Sequence, residues 1–584
     1  MRSSMERSST VRQDAFEVAN LELAKPSSAV PQDLPLERAY HWERRRASHI
    51  FLTQPVKGHV RNWTWAQAMN EARCMAAFLA TQNWPPGSRI VILSRNNAWW
   101  IIAELAIWMS GYVTVPIYTS LTVESARQLF RHSEPVACFL GSLDNPELLP
   151  ETLAPGIVCV KFPTAPACAG FEWQTLVSDH DPIDANPVRP AGDLATVIYT
   201  SGTTGSPKGA MHRFGAFPYF AKAVTQVTGE NPRHRVISYL PLAHIAERAL
   251  TETAAVASGW RIFFSENTAT FLTDLKRARP TVFFSVPRLY AKFQSGVFQK
   301  LPQHRLDRLL RIPLVRFLVR RRILKQLGLG SVRCAASGSA PIRLDLLLWF
   351  RKLGLPLTEG YGATETGITH SAPDGEGRPG YVGRSAPGVV TRLSPEGEVQ
   401  VSSPMNMLGY YQDPQGTREA FTEDGFLRTG DLGEIDRDGW LKINGRIKEQ
   451  FKTSKGKYVT PSLIEAMLNA NSAVESSLVM GSGLPAPFAI LVLSAEACRV
   501  AATEVGRNTL SSSLENLLAA TNTKLAPHEH LKFFVLVNTE WSIKTGFLTP
   551  TLKLKRPVLE AHYAHLIPQW TARNTMLVWH TEES

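Results

Sequence analysis

Tyr199-Thr200-Ser201-Gly202-Thr203-Thr204-Gly205-Ser206-Pro207-Lys208-Gly209 follows a short apolar run, residues 194–198, that reads as a strand. Two Ser/Thr pairs, three glycines and one lysine stand within these eleven residues. Glycine lets a backbone approach a phosphate closely, hydroxyls donate to phosphate oxygens, and a lysine adds a point charge. The stretch reads as a loop that holds a polyphosphate, with Thr200, Ser201, Gly202, Thr203, Thr204 and Gly205 around it and Lys208 as the charge. It is not the Walker pattern, because Pro207 stands where that pattern needs glycine.

On both sides of the loop the chain alternates helical and strand patterns, which argues for an α/β fold with parallel sheets. Residues 64–82 read as a helix, 88–93 as a strand, 123–132 as a helix and 137–140 as a strand. Residues 98–117 are apolar over about the length a bilayer needs. Glu104 near the middle and the Ser110-Gly111 break favour a buried helix followed by a strand over a membrane span. The Pro-rich stretches 145–166 and 182–190 read as surface connections. Residues 440–443 read as a strand ending at Asn444-Gly445, and Thr460-Pro461 as a helix start, Thr as N-cap and Pro at the first position. At 584 residues the chain is too long for one ordinary core. The expected division is a tail at 1–30, a large domain at 31–445, a hinge at 446–449 and a small mobile α/β domain at 450–584.

Four more motifs follow the loop. Ser337-Gly338-Ser339-Ala340-Pro341, after an expected strand at 332–335, is a tight turn fit to lie against a flat base. In Tyr361-Gly362-Ala363-Thr364-Glu365-Thr366 an aromatic beside glycine can pack on adenine, Thr364 can bond a phosphate, and Glu365 is an oxygen ligand fit for Mg²⁺. In Arg428-Thr429-Gly430-Asp431 the carboxylate suits two ribose hydroxyls. Gly445-Arg446-Ile447-Lys448-Glu449 places Arg446 for ribose or phosphate, and the polar residues after it suit a hinge. Each of these taken alone is more often a structural turn or a surface acid. A last segment, Leu548-Thr549-Pro550-Thr551-Leu552-Lys553-Leu554-Lys555-Arg556, lies near the chain end.

Together, in this order, the segments resemble the adenylate-forming superfamily, which activates carboxylates with ATP. The resemblance runs from about Trp63 to Arg556. Tyr239-Leu240-Pro241-Leu242-Ala243-His244-Ile245-Ala246-Glu247-Arg248, Ser285-Val286-Pro287-Arg288 and the stretch 455–461 are similar to the long-chain fatty acyl-CoA synthetase branch. The resemblance implies a large domain of mixed and parallel sheets flanked by helices, plus a small mobile α/β domain. It implies two half-reactions: a fatty acid and ATP give acyl-AMP and pyrophosphate, then coenzyme A gives the thioester and AMP. By the same resemblance Lys553, Lys208, Thr364 and Glu365 are catalytic, and Glu365 also holds Mg²⁺. Thr200 to Gly205, Ser339, Tyr361, Gly362, Asp431 and Arg446 bind the nucleotide. Lys448 is the hinge, Lys455 and Gly456 meet coenzyme A, and His244 lies at the acyl pocket. Lys555 competes with Lys553 for the terminal role, being two residues away.

The net charge of +12 favours anionic partners such as nucleotides and coenzyme A; no nucleic-acid motif accompanies it. Over half of that charge sits at 305–325, where Arg305, Arg308, Arg311, Arg316, Arg320, Arg321, Arg322 and Lys325 face one acid, Asp307. Pro313 divides this segment into two short helices. A solvated helix pair over the core is favoured about two to one over a membrane-surface contact. The six cysteines form no CxxC pair, and the polar first twenty residues are no secretory signal, so a cytoplasmic protein is expected. Two rival readings remain: a fatty acyl-AMP ligase that serves a carrier protein, and a non-catalytic nucleotide or lipid binder. Oligomeric state and preferred chain length are not legible.

Overall fold

The computed structural model describes residues 33–200, 208–372, 376–549 and 551–580. Ser201, Gly202, Thr203, Thr204 and Gly205 of the phosphate loop, and the tail, lie outside the described residues. By internal contacts the chain divides into two units. The larger comprises residues 1–392, 400–429 and 436–441, and the smaller 393–399, 430–435 and 442–584.

The larger unit is built on an eight-stranded sheet. Its order is Gly409–Tyr410, Lys208–Arg213, Leu194–Thr200, Val113–Ile117, Arg89–Leu93, Ala137–Leu140, Val158–Lys161 and Phe171–Glu172. The strands from Leu194–Thr200 to Phe171–Glu172 run parallel; the inner ones are largely buried on both faces in the way such sheets require, while the edge strand Phe171–Glu172 is exposed. Leu194–Thr200 pairs antiparallel with Lys208–Arg213, so the phosphate loop joins two neighbouring strands. A Walker loop instead runs from a strand into a helix.

Local sequence sets the flanking helices. Trp65–Thr81 starts at a capping box: the Thr64 hydroxyl accepts from the Gln67 N–H, and the Gln67 side chain accepts from the Thr64 N–H. Ala98–Met109 starts at Asn97, whose side chain accepts from the Trp100 N–H at 2.9 Å. Every residue of that helix is buried, and the strand Val113–Ile117 follows it. No helix among the described residues is long and apolar enough to cross a membrane.

Glu104, the acid inside that apolar run, is fully buried and paired with Arg248, the last residue of the Tyr239–Arg248 motif. Arg248 also reaches Glu252 at 3.2 Å and the Thr196 hydroxyl at 2.7 Å. Burial pushes the Glu104 carboxyl well above the usual carboxylate range, against the pull of Arg248. Arg248→Leu strands two buried acids and is expected to lower stability by about 3–5 kcal/mol. Adding Glu104→Met and Glu252→Met should recover most of that loss in chemical denaturation, because a well-packed apolar triad needs no counter-charge.

Residues 145–166 are not all surface connection: Val158–Lys161 is a sheet strand with Cys159 and Val160 buried. The strand expected to stop at Asn444-Gly445 runs on as Leu441–Arg446 through a buried Gly445. There φ is +143° and a Cβ would come within 2.3 Å of the Thr460 methyl, so only glycine fits.

The smaller unit has its own core around the sheet Val474–Met480, Phe488–Leu493, Phe534–Val537 and Leu577–His580. The helix Pro461–Leu468 begins with Pro461 at its first position, as expected. The Thr460 hydroxyl makes no cap; it accepts from the Gln450 side chain at 2.9 Å.

Candidate active site

In the larger unit, Lys208 opens the strand that leaves the phosphate loop. The Thr200 hydroxyl donates to the Lys208 carbonyl at 3.4 Å across the two strands. The Lys208 ammonium lies 4.8 Å from the centre of the Tyr410 ring and 4.0 Å from an Asp413 carboxylate oxygen. The Tyr410 hydroxyl donates to Glu365 Oε1 at 3.0 Å. Burial, followed by the nearby Glu365 charge, raises the Tyr410 phenol, so it stays a donor. Lys208 and Glu365, distant in sequence, are thus joined through one aromatic side chain that sequence reasoning missed. Gly409–Tyr410 is a two-residue edge strand paired with Ala210 and Met211, too short to leave a periodic signal.

Thr364 is held from below by another missed residue. His212 is fully buried, and its Nε2 lies 2.7 Å from the Thr364 carbonyl oxygen, to which it donates. Burial lowers this imidazole to about 4, so it is neutral near pH 7. His370 is likewise buried and lowered to about 3. Its Nε2 lies 3.1 Å from the Thr391 hydroxyl, and its strand Gly367–Ser371 pairs with Tyr361–Ala363. In the unfolded chain both rings protonate near 6.5. From about pH 6.5 down to 4 the unfolded state therefore binds more protons than the folded one, and stability falls as the pH falls. The loss is on the order of 3 kcal/mol per imidazole once the window is crossed. Denaturation midpoints between pH 7.5 and 4.5 measure it. His212→Gln keeps a donor toward Thr364 without an ionisable ring and should flatten the slope.

The Ser337–Pro341 and Tyr361–Thr366 motifs leave one sheet edge. Val282–Ser285, Cys334–Ser337 and Leu357–Glu359 run parallel, so the segments after them emerge together. The strand expected at 332–335 lies two residues later and includes Ser337. The Gly360 N–H donates to the Ser337 carbonyl at 2.9 Å, which sets the Gly338-Ser339 turn beside Tyr361. Ser339 has a φ of +65°, a conformation a non-glycine residue adopts at a cost. Gly362 is obligatory, because a Cβ there would sit 1.9 Å from the Gly367 carbonyl oxygen.

Around the expected acyl pocket, the Tyr239 ring centre lies 4.8 Å from that of Phe271 and 6.1 Å from that of Phe283, and Tyr290 stands edge-on to Phe283. His244 caps the short helix Ile245–Glu247, its Nδ1 accepting from the Ala246 N–H at 3.1 Å. Glu247, fully buried, is pushed up to about 8 by desolvation and accepts from the Tyr239 N–H.

In the smaller unit, Asp431 and Arg446 lie on adjacent strands, with Arg446 Nε 2.9 Å from Asp431 Oδ1. The Asp431 side chain is buried, whereas Arg446 is exposed. The Gly430 N–H donates to Glu398 at 3.0 Å. Lys448 is exposed in the short turn Ile447–Glu449. Lys455 and Gly456 form the tip between the paired strands Phe451–Lys452 and Tyr458–Val459, with Gly456 at φ +75°. Lys553 is exposed on a closed turn. Its N–H donates to the Thr549 hydroxyl at 3.0 Å, its carbonyl accepts from the Thr549 N–H at 2.8 Å, and Leu552 turns the chain at φ +61°. Lys555 precedes the helix Arg556–Tyr563, which Arg556 anchors to Glu465 at 2.6 Å.

Among the described residues no three His, Cys, Asp or Glu gather as a ready-made metal cage. Mg²⁺ does not require one, since it is usually held by one or two carboxylates with phosphate oxygens and water. Glu365 fits that donor set: Tyr410 engages one oxygen and the side chain is only partly buried.

Residues 38–411 match the model of the AMP-binding enzyme family, and 448–574 that of the AMP-binding enzyme C-terminal domain. The long-chain-fatty-acid–CoA ligase FadD15 of Mycobacterium bovis is 30% identical over 90% of this chain and 95% of its own length. Long-chain-fatty-acid–CoA ligase 1 of Homo sapiens is 30% identical over 86% of this chain and 81% of its own. In fold, the adenylation domain of a carboxylate reductase from Mycobacterium chelonae superposes with a TM-score of 0.79 at 22% identity, over 98% of this chain and 97% of that one. An anthranilate CoA ligase in complex with anthranoyl-AMP gives 0.75 at 21%, over 92% and 98%. With the family models covering both the Lys208–Glu365 constellation and the Lys553 turn, and relatives aligned over most of its length, this chain belongs to the AMP-binding enzymes, in their long-chain acyl-CoA synthetase branch.

Proposed function

We propose that the chain is a long-chain fatty acid–CoA ligase. In the first half-reaction a fatty acid carboxylate oxygen attacks the α-phosphorus of ATP, and the bond to pyrophosphate breaks. In the second, the coenzyme A sulfur attacks the acyl carbon, its proton is lost, and AMP leaves. No covalent enzyme intermediate is needed, so positioning and electrostatics carry the rate. Lys208 and Lys553 offset charge that grows on the phosphates, Thr364 bonds a phosphate oxygen, and Asp431 with Arg446 receives the ribose. Ser339, Tyr361 and Gly362 take the adenine, and His244 lies toward the acyl chain. Residues 31–445 and 450–584 act as the two domains, with Lys448 in the hinge and Lys455-Gly456 serving the coenzyme A step. When bound, Mg²⁺ neutralises phosphate charge, and Glu365 is the residue that would hold it.

The observation that carries this reading is the Lys208–Tyr410–Glu365 linkage, a cation and a carboxylate spaced by one aromatic beside the phosphate loop. It is supported by two relatives that carry long-chain-fatty-acid–CoA ligase in their names. The test is AMP release with ATP, Mg²⁺, coenzyme A and fatty acids from about eight to twenty carbons, a range that apolar tunnels accommodate. Release with coenzyme A supports the proposal. Pyrophosphate exchange without thioester would point to a carrier-protein acceptor, and no exchange at all would leave a non-catalytic binder.

A further inference from the structure

The basic segment 305–325 folds as two helices, Gln303–Arg311 and Pro313–Gln326, with Pro313 opening the second. The first is pinned to the core by Leu306 and Leu310 and by Asp307, which pairs with Lys352 at 2.5 Å. Its Arg305, Arg308 and Arg311 are exposed. In the second, Ile323 is buried, while Leu314, Phe317 and Leu318 are 83%, 64% and 63% exposed. Ile312, at the corner between the helices, is also exposed. Positions 314, 317, 318, 321, 322 and 325 share one outward stripe, spaced by three and four residues. The stripe is apolar near the corner and cationic beyond it, at Arg321, Arg322 and Lys325. Within this stripe apolar and basic residues are thus separated along the helix, while Arg316 stands exposed between Leu314 and Phe317 beside it.

We propose that this helix pair docks on an anionic bilayer surface, with the Ile312–Phe317 corner dipping among the acyl chains and the arginines at the level of the lipid phosphates. Four large apolar side chains that project outward gain nothing in water and have no counterpart on a nucleic acid backbone. In a bilayer they leave water, and the surrounding cations meet opposite charge at the depth where headgroups lie. Arginine suits that level because its fork binds phosphate oxygens in pairs. Asp307, the one acid within 305–325, is already engaged by Lys352 and does not oppose the field. Leu306, Leu310 and Ile323 belong to the same buried cluster as Phe283 and Tyr290, so the docking helices are rooted in the core that holds the expected acyl-pocket aromatics. The inference does not depend on the ligase reading.

The experiment is co-sedimentation of the full chain with vesicles of phosphatidylcholine alone, or of phosphatidylcholine mixed with phosphatidylglycerol. Wild type should sediment with the mixed vesicles and much less with the neutral ones, and rising salt should release it. Leu314→Ser/Phe317→Ser/Leu318→Ser and Arg316→Glu/Arg321→Glu/Arg322→Glu should each lower partitioning about tenfold or more. All six positions are partly or fully exposed on one helix, and turnover of a fatty acid supplied in free solution should stay at the wild-type level. Wild type that ignores anionic vesicles, or variants that bind as wild type does, overturns the proposal. So does charge-dependent binding that the serine variant retains and single-stranded RNA displaces, which would mark a nucleic-acid surface. A protein without ligase activity that still binds vesicles through these residues supports it.

Discussion

Replacing Lys553 with alanine slows acyl-AMP formation by roughly two to three orders of magnitude, the scale for losing one pre-placed charge. Thioester formation from pre-made acyl-AMP stays nearly unchanged. The turn that carries Lys553 is closed by backbone groups and by the Thr549 hydroxyl, which also lies 3.0 Å from the Thr551 hydroxyl. Alanine leaves all of these bonds in place, so the turn itself should hold. Lys555 stands where the helix Arg556–Tyr563 begins, with its N–H bonded to the Phe547 carbonyl. Lys555→Ala should therefore be milder in the first step. Pyrophosphate exchange reads that step, and AMP release from synthetic acyl-AMP with coenzyme A reads the second. An equal fall in both half-reactions would reject a role confined to adenylation and, with it, the hinge reading of Lys448. Loss of adenylation only in Lys555→Ala would move the catalytic position by two residues.

What the sequence disclosed depended on how local its signal was. The helix Ala98–Met109 and the strand after it were legible because one acid in an apolar run is compatible with a paired interior. Its partner Arg248 was not legible as a partner, since the contact joins residues far apart in sequence. The two basic helices and their break at Pro313 were readable from proline alone, but which side chains face outward was not. Val158–Lys161 was lost among prolines because four residues in a buried strand carry no alternation. Tyr410 and His212 were missed for one reason: each acts through a cross-strand or cross-loop contact, to Glu365 and to the Thr364 carbonyl. The motif around Thr364 and Glu365 was legible as a motif, and only the fold supplied the groups that hold it.

Glu365→Gln separates charge from shape at that motif. The glutamine carbonyl still accepts the Tyr410 hydroxyl that Glu365 Oε1 accepts at 3.0 Å, and the Glu365 carbonyl still receives the Met407 N–H at 2.8 Å. The local backbone should hold, and what disappears is one negative charge. A neutral amide is a poorer ligand for a hard cation, so adenylation is expected to fall at least about tenfold at limiting Mg²⁺. Part of the loss should return as Mg²⁺ is raised. Tyr410→Phe is the complement: it keeps the carboxylate and removes its donor, and it should slow adenylation less while leaving the Mg²⁺ demand near that of wild type. Initial rates of pyrophosphate exchange across a Mg²⁺ titration distinguish the two variants. If Glu365→Gln keeps the wild-type Mg²⁺ dependence, the carboxylate does not serve the metal. Its bond to Tyr410, which in turn lies beneath Lys208, then becomes its role: holding the aromatic that sets the lysine toward the phosphates.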